Sequence, residues 1–564
     1  MGTQAWQVAD CGIKEPCVCP RLGFLHLAVF SCCCYEPLMT QNAQETLTLQ
    51  VTDLAHDGRG IAHLHDSRGE RGLTVFVTGA LPDQLVRARV LRRKKSYLEA
   101  IVQEVLRPAP KTMAPLCPHH LHCGGCPLQV MPYPQQLHYK RLWALNALTR
   151  IGGLDTQQVG TLFAPLLPSP ALTRYRNKME FAFGGGPGAS LTLGLRRRNG
   201  RDVLAVPGCV LMPQTAQDMV AMLRELAARS GLAPHMAQSD MSASRMHCAD
   251  RRSPAHSRPR STSKASGFWR FFILRCGLRP GTERPGWWGI CLTSPGSRRE
   301  RATVLAAGRE LMAAFPDLVA FVHEERASRD ALTSGERRIA TLGADGHICP
   351  QAARLLQPLY GTTFSLDVAS FFQVNTAAAQ DLACCAQRML ADHDEDHRPA
   401  RLLDVFCGVG VFGLLAAKLY EEVLGLELNP RAVQEARRNA SAMGLEHCRY
   451  IVGDVADVLS KPLPWQDAAC GQAFSSPDAR TWRLDVLADP PRNGLSPHVL
   501  TGLLNLAADR ILYISCNPST LARDARCLAQ AYTLTSLGGV DLFPHTPHVE
   551  CLSLWRRKRS PSSI

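Results

Sequence analysis

The chain of 564 residues lacks any apolar run long enough to cross a membrane as a helix. It contains 22 cysteines, yet they lack the compact arrangement of a small disulfide framework. No clear small-x-small cleavage site follows the apolar stretch 22–30. These absences argue against a membrane-spanning protein and a secreted disulfide scaffold. They predict a large cytosolic protein whose thiols are kept reduced.

The N-terminal 43 residues are predicted to be an extension that is disordered or that results from a mis-assigned start. Met39 lies just before the first well-patterned segment, which supports this interpretation. A lipoprotein-like signal ending at Cys32 is the alternative. The length of the remaining chain suggests two to four domains, and a hydrophobic content of 46% allows each of them to bury a core.

The net charge of +14 suggests a nucleic-acid partner, but the charge is unevenly distributed. Residues 251–301 hold 12 arginines or lysines against 2 glutamates, a net of +10, so the rest of the chain is only mildly basic. Within the mixed region 108–365, residues 240–266 are rich in Ser, Arg, Pro and His, which predicts a disordered insertion. Total charge alone therefore does not establish RNA binding.

Residues 44–107 alternate between apolar and polar side chains and are interrupted by turns such as 57–60 and 81–83. Several short strands at regular spacing predict a small β-barrel. This segment resembles a TRAM domain, an OB-like RNA-binding barrel. The run 92–95, Arg-Arg-Lys-Lys, would contact phosphates in that setting, although a solvated hairpin tip is the simpler alternative.

A cysteine-rich loop follows the barrel. Cys117, Cys123 and Cys126 have the spacing Cys-x5-Cys-x2-Cys, and Cys209 is the candidate for a fourth ligand. Three thiolates on a tight glycine-containing loop suit a soft metal or an iron–sulfur cluster. Histidines within the loop also permit zinc. Spacing alone does not distinguish zinc from an iron–sulfur cluster. A cysteine-rich loop that binds no metal is the third alternative.

From residue 366 to 558, apolar strands alternate with helical patterns, which predicts a doubly wound α/β domain with its ligands at the carboxyl ends of the strands. Gly408, Gly410 and Gly413 form G-x-G-x-x-G after the first strand, and Glu427 follows 19 residues after Gly408. This pattern fits a dinucleotide. Two further acids at strand ends, Asp404 and Asp454, favour S-adenosylmethionine instead.

Cys516 stands at the end of an apolar strand, in the sequence Ile-Ser-Cys-Asn-Pro, where a thiol is held rigidly beside a cleft. Free cysteines are more often buried and inert, so its neighbours matter. An Asp489-Pro-Pro-Arg492 loop precedes it, and Glu550 begins a later apolar strand. Gln373 lies in Phe-Phe-Gln-Val-Asn, just before the α/β domain.

Taken together, these motifs resemble the RNA (uracil-5-)-methyltransferases. The resemblance covers residues 44–558, apart from the insertion 240–266 and another near 465–480. It implies an N-terminal OB-like TRAM barrel (44–107), a central mixed α+β iron–sulfur domain (108–365) and a C-terminal Rossmann-like methyltransferase domain (366–558). The four cysteines make the chain similar to the branch acting on bacterial 23S rRNA, because the tRNA branch generally lacks them.

The resemblance also implies residue roles. Cys516 would be the nucleophile that adds to carbon 6 of uracil, and Glu550 the base that removes the proton from carbon 5. Positions that would contact S-adenosylmethionine are Gln373, Phe406, Val411, Glu427, Asp454 and Asp489. A [4Fe–4S] cluster would be held by Cys117, Cys123, Cys126 and Cys209. Val411 departs from the family pattern, which often has asparagine there.

The expected partner is RNA, most plausibly 23S rRNA, with a monomeric enzyme and no membrane. A tRNA target is the first alternative. A dinucleotide-dependent oxidoreductase would explain the glycine motif but not Cys516 together with Glu550, and a non-catalytic RNA-binding protein would need neither. A DNA cytosine methyltransferase would typically show Pro-Cys and Glu-Asn-Val, which are absent.

Overall fold

The computed structural model describes most of the chain between residues 45 and 558. The described residues are 45–65, 71–185, 190–198, 200, 202–235, 267–282, 284–392, 398–465 and 482–558. The predicted extension, the 240–266 insertion and most of the insertion near 465–480 lie outside them. The chain divides into units 1–45 and 46–564, and all elements below belong to the second. No helix among the described residues is both long and apolar enough to span a bilayer.

Five strands close into the predicted N-terminal barrel, in the order β1-β2-β3-β5-β4. They are β1 (Thr46–Leu54), β2 (Gly60–His65), β3 (Arg71–Thr78), β4 (Leu85–Arg93) and β5 (Tyr97–Arg107). Alternate residues such as Val75 and Val77 point inward and are fully buried, because successive side chains of a strand face opposite sides. The barrel prediction is confirmed.

The middle of the chain forms a nine-stranded sheet, in the order β12-β11-β10-β9-β6-β7-β8, with β13 pairing both β9 and β14. Its strands are β6 (Lys178–Gly184), β7 (Thr192–Arg196), β8 (Val203–Leu204), β9 (Trp269–Leu278), β10 (Pro285–Thr293), β11 (Leu318–Glu325), β12 (Arg337–Leu342), β13 (Arg354–Leu359) and β14 (Thr362–Asp367). Its helices are α1 (Tyr133–Arg150), α2 (Thr156–Leu162), α3 (Gln214–Arg229) and α4 (Arg298–Ala314), with a 3-10 turn at Pro350–Ala353. The predicted hairpin around 269–293 is the antiparallel pair β9–β10.

The C-terminal region is a seven-stranded sheet, in the order β17-β16-β15-β18-β19-β21-β20, in which β21 runs antiparallel to both neighbours. Its strands are β15 (Ala400–Val405), β16 (Glu422–Glu427), β17 (Cys448–Val452), β18 (Arg483–Ala488), β19 (Arg510–Ser515), β20 (Tyr532–Val540) and β21 (Glu550–Arg557). Its helices are α5 (Thr376–Ala391), α6 (Val411–Ala416), α7 (Pro430–Ala442), α8 (Val455–Leu459), α9 (Pro497–Leu506) and α10 (Pro518–Leu528), with a 3-10 turn at Ala417–Leu419. Strands β15, β18 and β19 are buried along their whole length, as expected for parallel strands covered on both faces.

Helix α1 contacts both the N-terminal barrel and the core beneath the C-terminal sheet. Its apolar residues Ala144 and Leu148 pack into the core beneath the C-terminal sheet, although the helix precedes that domain by more than 200 residues in sequence. Trp143 donates its indole N–H to the carbonyl of Leu54 in the barrel, at 2.9 Å. The segment assigned by sequence to the central domain thus contributes to the core of the C-terminal sheet as well.

A buried ion pair fastens α1 to the loop that leads into β21. Lys140 Nζ lies 2.6 Å from Asp541 Oδ1, and both side chains are inaccessible to solvent. Lys140 also donates to the carbonyl of Phe543 at 3.0 Å. Removing one partner of a buried pair typically costs about 3–5 kcal/mol, because the other charge is left uncompensated. The position of this loop is therefore set by α1.

Candidate active site

Five predicted site residues follow the carboxyl ends of five neighbouring parallel strands. Phe406 follows β15, Glu427 ends β16, Asp454 lies two residues after β17, Asp489 follows β18 and Cys516 follows β19. In a parallel sheet these ends lie at one edge, which is where open α/β sheets bind ligands. The structure thus brings these five together, whereas their separation in sequence exceeds 100 residues.

The turn after β15 has the shape of a ligand cradle. Gly408 and Gly410 adopt positive φ angles of 55° and 82°, which glycine tolerates without steric cost. A Cβ on Gly410 would also lie 2.9 Å from the Tyr450 hydroxyl. Phe406 adopts φ of 63° without being glycine, and such strained backbone tends to occur at functional sites.

Asp404 lies near the end of β15 and is buried. One of its carboxylate oxygens accepts a hydrogen bond, and the other has no hydrogen-bond partner among the described residues. Its Oδ2 accepts from the backbone N–H of Gly413 at 3.1 Å. No group in the described part of the chain hydrogen-bonds to Oδ1. Burial, together with the charges of Asp489 and Glu427, raises the pKa of Asp404 to about 8. A cationic ligand would stabilise the ionised carboxylate and so lower this pKa.

Glu427 braces the glycine turn and faces the same edge. Its Oε2 accepts from the N–H of Gly408 at 3.1 Å, and its Oε1 accepts from the N–H of Asn429 at 2.8 Å. The exposed Asp454 caps the short helix α8 through the N–H of Ala456. Beside these acids, Leu428 and Val452 are 65% and 45% exposed. Acids and exposed apolar groups together suit a ligand with a flat ring and hydroxyls.

These residues fit S-adenosylmethionine. The cofactor carries a sulfonium and an ammonium, so a cluster of uncompensated carboxylates with a free buried oxygen on Asp404 is complementary to its charge. Val411, predicted to contact it, begins α6 after Gly410, and its half-buried side chain packs against the core. The valine side chain offers no polar atom there.

Cys516 and Glu550 are neighbours across the two central strands of the site. Strands β19 and β21 are antiparallel, with Ser515 opposite Cys551. Extending this register by one residue sets Cys516 opposite Glu550, on the same face. The charge of Glu550 acts on the pKa of Cys516, which agrees with this placement. Glu550 is only 4% exposed, whereas Cys516 is half-buried. The fold thus joins two groups that are 34 positions apart.

The electrostatics of this pair are dominated by burial. Burial and then the charge of Glu550 raise the pKa of Cys516 to about 11, whereas Arg492 lowers it. Burial and then Asp489 raise the pKa of Glu550 to about 8, again opposed by Arg492. Burial raises the pKa of Asp489 to about 7. Near neutral pH the resting thiol is protonated, and Glu550 is poised to exchange a proton.

The loop that contains Gln373 is anchored by hydrogen bonds to two other parts of the chain. The carbonyl of Gln373 accepts from the side chain of Asn177 at 3.0 Å. Two residues later, the buried Asn375 caps α5 and donates to the carbonyl of Leu542, in the loop before β21, at 3.0 Å. The loop containing Gln373 is thus attached both to the segment before β6 and to the loop before β21.

The four predicted cysteine ligands converge in a second site. Burial, together with the charges of Cys209, Cys123 and Cys117, raises the pKa of Cys126 to about 12. Within the ranges that the structure describes, no group of three or more His, Cys, Asp or Glu side chains is arranged to hold a metal ion. The structure therefore brings the four thiols near one another without closing a coordination site.

Several functional groups escaped the sequence interpretation. Arg176 and Arg198 lie close enough to the cysteines to act on the pKa of Cys126 and Cys123, respectively, and lower both. His548 contacts Arg492, whose charge acts on both Cys516 and Glu550. No local pattern marks the two arginines, because each reaches its site through tertiary contacts. For His548, the His-Val-Glu motif was a usable signal.

Comparison with known proteins agrees with this geometry. The model of the tRNA (uracil-5-)-methyltransferase family matches residues 362–558, and that of the TRAM domain matches residues 42–102. An uncharacterized RNA methyltransferase of Nitratidesulfovibrio vulgaris is 34% identical over 520 residues, covering 92% of this chain and 97% of the relative. One from Gloeobacter violaceus is 29% identical over 514 residues, covering 91% and 97%.

Among solved structures, the tRNA (uracil-54, C5)-methyltransferase of Pyrococcus abyssi, in complex with S-adenosyl-L-homocysteine, superposes with a TM-score of 0.60. It is 21% identical, and the match covers 90% of this chain and all of that one. At this identity the likeness establishes the shared fold. With the relative that is 34% identical over nearly its whole length, the chain belongs to the S-adenosylmethionine-dependent RNA (uracil-5-)-methyltransferase family.

Proposed function

We propose that this protein methylates carbon 5 of a uridine in RNA through a covalent adduct between Cys516 and the base. The observation that carries the proposal is the register of β19 and β21, which sets the Cys516 thiol beside the buried Glu550 carboxyl group. This chemistry requires a nucleophile that adds to carbon 6 and a base that removes the proton from carbon 5. A thiol next to a carboxyl group can supply both.

Each residue has a defined task in this mechanism. Addition of the Cys516 thiolate to carbon 6 of uracil turns carbon 5 into a nucleophile. S-adenosylmethionine, when bound, would supply the methyl group that carbon 5 accepts and would leave as S-adenosylhomocysteine. Glu550 then takes the proton from carbon 5, and the carbon–sulfur bond breaks to restore the ring and the thiolate. Asp489, between the cofactor acids and the thiol, and Gln373 position the reactants. The target base must leave its stack, which an RNA loop makes easier.

The residues that would hold S-adenosylmethionine are Gln373, Phe406, Glu427, Asp454 and Asp489, with Asp404 beneath them. Val411 would contribute through its backbone, since its side chain packs inward. The support is the set of carboxyl groups at one sheet edge. Burial raises the pKa of two of them, Asp404 and Asp489, and a cationic ligand would stabilise their charged forms.

We further propose that Cys117, Cys123, Cys126 and Cys209 hold a [4Fe–4S] cluster. Two glutamine side chains pre-arrange the thiols: Gln129 accepts from the N–H of Cys117 at 3.0 Å, and Gln217 accepts from the N–H of Cys209 at 3.0 Å. An all-thiol donor set suits iron–sulfur chemistry better than a hard cation.

The proposed target is 23S rRNA, by analogy with family members that have these cysteines, and a tRNA target is the alternative. Mapping 5-methyluridine in ribosomal and transfer RNA of a deletion strain, with and without the restored gene, separates the two. Loss of a methyluridine in 23S rRNA alone supports the proposal. Loss confined to tRNA contradicts the rRNA assignment.

The covalent mechanism is tested by trapping. RNA containing 5-fluorouridine lacks the proton that Glu550 must remove, so the adduct should persist when S-adenosylmethionine is present. A shifted band on a denaturing gel is expected for the wild type and should be absent for Cys516→Ala. Cys349→Ser, a substitution outside both thiol sites, is the matched control and should still form the adduct. An equal yield with Cys516→Ala would refute the mechanism.

A further inference from the structure

His548 contacts Arg492 at the candidate active site and has no role in the mechanism above. Its Nε2 atom lies 3.3 Å from Nη2 of Arg492. Its ring packs edge-on against the ring of Phe543, with centroids 5.9 Å apart and planes at 80°. Its backbone N–H donates to the hydroxyl of Thr546 at 3.3 Å. These contacts fix the imidazole in one orientation.

The contact with Arg492 determines the protonation state of His548. A guanidinium has only donors, so Nε2 must carry a lone pair and the ring must be neutral with its proton on Nδ1. Burial, together with the positive charges of Arg492, Lys140 and Arg176, lowers the pKa of His548 to about 4. The acceptor is therefore present throughout the neutral pH range.

Arg492 in turn connects the two catalytic residues. Its carbonyl accepts from the side chains of Asn517 and Thr520, each at 3.3 Å, directly after Cys516 in sequence. Its guanidinium meets His548, two residues before Glu550. Arg492 is exposed, and a long exposed side chain otherwise samples many rotamers. The hydrogen bonds to its carbonyl and the contact with His548 together hold the Arg492 guanidinium near Cys516 and Glu550.

We propose that His548 is a positioning residue: its neutral Nε2 holds the guanidinium of Arg492 beside Cys516 and so favours the thiolate that attacks uracil. The inference rests on the proposed covalent function of Cys516. The charged groups that act on this thiol are Glu550, Arg492 and Asp489. Only Arg492 among them stabilises the thiolate, so its placement decides how much of the thiol is reactive near neutral pH.

The test measures the ionisation of Cys516 directly. The rate of its alkylation by iodoacetamide is followed against pH in the full-length enzyme without RNA, by mass spectrometry of the peptide that contains it. We expect His548→Met to raise the apparent pKa of Cys516 by about 1 unit, the size of effect that a nearby opposite charge exerts. His548→Gln should stay near the wild type, because its Oε1 can accept from Arg492.

Matched variants exclude a general structural effect. Arg492→Met should raise the apparent pKa as much or more, and adding His548→Met to it should give no further rise. His498→Met, at an exposed position in α9, should leave the titration unchanged. An unchanged titration in His548→Met, an equal shift in His548→Gln, or additive shifts in the double variant would each overturn the proposal.

This measurement is independent of methyl transfer. If the proposed function is wrong but His548 does position Arg492, the titration will shift as expected while no 5-fluorouridine adduct forms in the wild type. If the adduct forms and the titration does not respond to His548→Met, the covalent mechanism stands and the role of His548 is refuted.

Discussion

The protein contains two thiol sites whose cysteines look alike in sequence and differ in their surroundings. Cys516 and Cys126 are both partly buried, and burial raises the pKa of each. Around Cys516 stand carboxyl groups and one arginine. Around Cys126 stand three further thiols, with Arg176 nearby.

The comparison shows how neighbours assign the role of a cysteine. Several buried thiols cannot ionise together unless a cation neutralises them, which suits a soft metal centre. A single thiol beside a proton acceptor and a positive charge suits nucleophilic attack. If these assignments are right, substitutions in the two sites will affect different measurable quantities.

The largest difference is expected for Cys516→Ser. Methyl transfer to RNA should fall below detection, because a serine hydroxyl at this position is far less nucleophilic than a thiolate. Iron content and absorbance near 400 nm should match the wild type. Measurable methylation by the variant, or a parallel loss of iron, would contradict the separation of the two sites.

Glu550→Gln should reduce turnover by about 10²–10⁴-fold, the usual contribution of a general base. Addition to carbon 6 needs only the thiolate, so the variant should accumulate a covalent complex on ordinary uridine RNA. A denaturing gel measures this complex. If turnover falls without any accumulation, Glu550 acts before the adduct forms and its assignment as the late base is wrong.

Cys126→Ser should affect the second site alone. Iron, expected at about four per chain after anaerobic purification, should fall to a small fraction, and the thermal midpoint should drop because metal binding is coupled to folding. Alkylation of Cys516 should keep its pH dependence. Cys349→Ser is the matched control and should retain iron. Stoichiometric zinc without iron in the wild type would overturn the cluster.

Asp404→Asn should give the smallest change in turnover and a distinct pH signature. The carboxyl group has a pKa raised from 3.8 to about 8, so the stability it contributes is present below about pH 4 and is lost as the pH rises through about 8. The variant without cofactor should therefore unfold at a higher temperature than the wild type above pH 8.

The same variant should bind S-adenosylmethionine about tenfold more weakly or worse, since a hydrogen bond to a charged group is lost. Calorimetry at several pH values measures this, and wild-type binding should strengthen as the pH rises toward 8 and Asp404 ionises. Tighter binding by Asp404→Asn would show that the carboxylate does not face the cofactor.

Local patterns predicted the barrel and the parallel strands correctly, because period-2 alternation and buried apolar runs depend on short stretches of chain. The strand-end residues Glu427, Asp489 and Cys516 were also identifiable, since the end of each parallel strand is known once the strand is. The packing of α1 under the C-terminal sheet was not predictable. Its contacts, such as Lys140 with Asp541, join positions 401 residues apart.

By itself, the sequence determined that the chain has an N-terminal β-barrel, a mixed central region and a C-terminal α/β region. It also determined the family motifs and the candidate nucleophile. Only the tertiary structure decided which groups act on one another: the register that sets Cys516 beside Glu550, the arginines beside the cysteines, and the His548–Arg492 contact. The physical reason is that secondary structure follows from local periodicity, whereas pKa values and hydrogen bonds depend on burial and on charges brought together from distant parts of the chain.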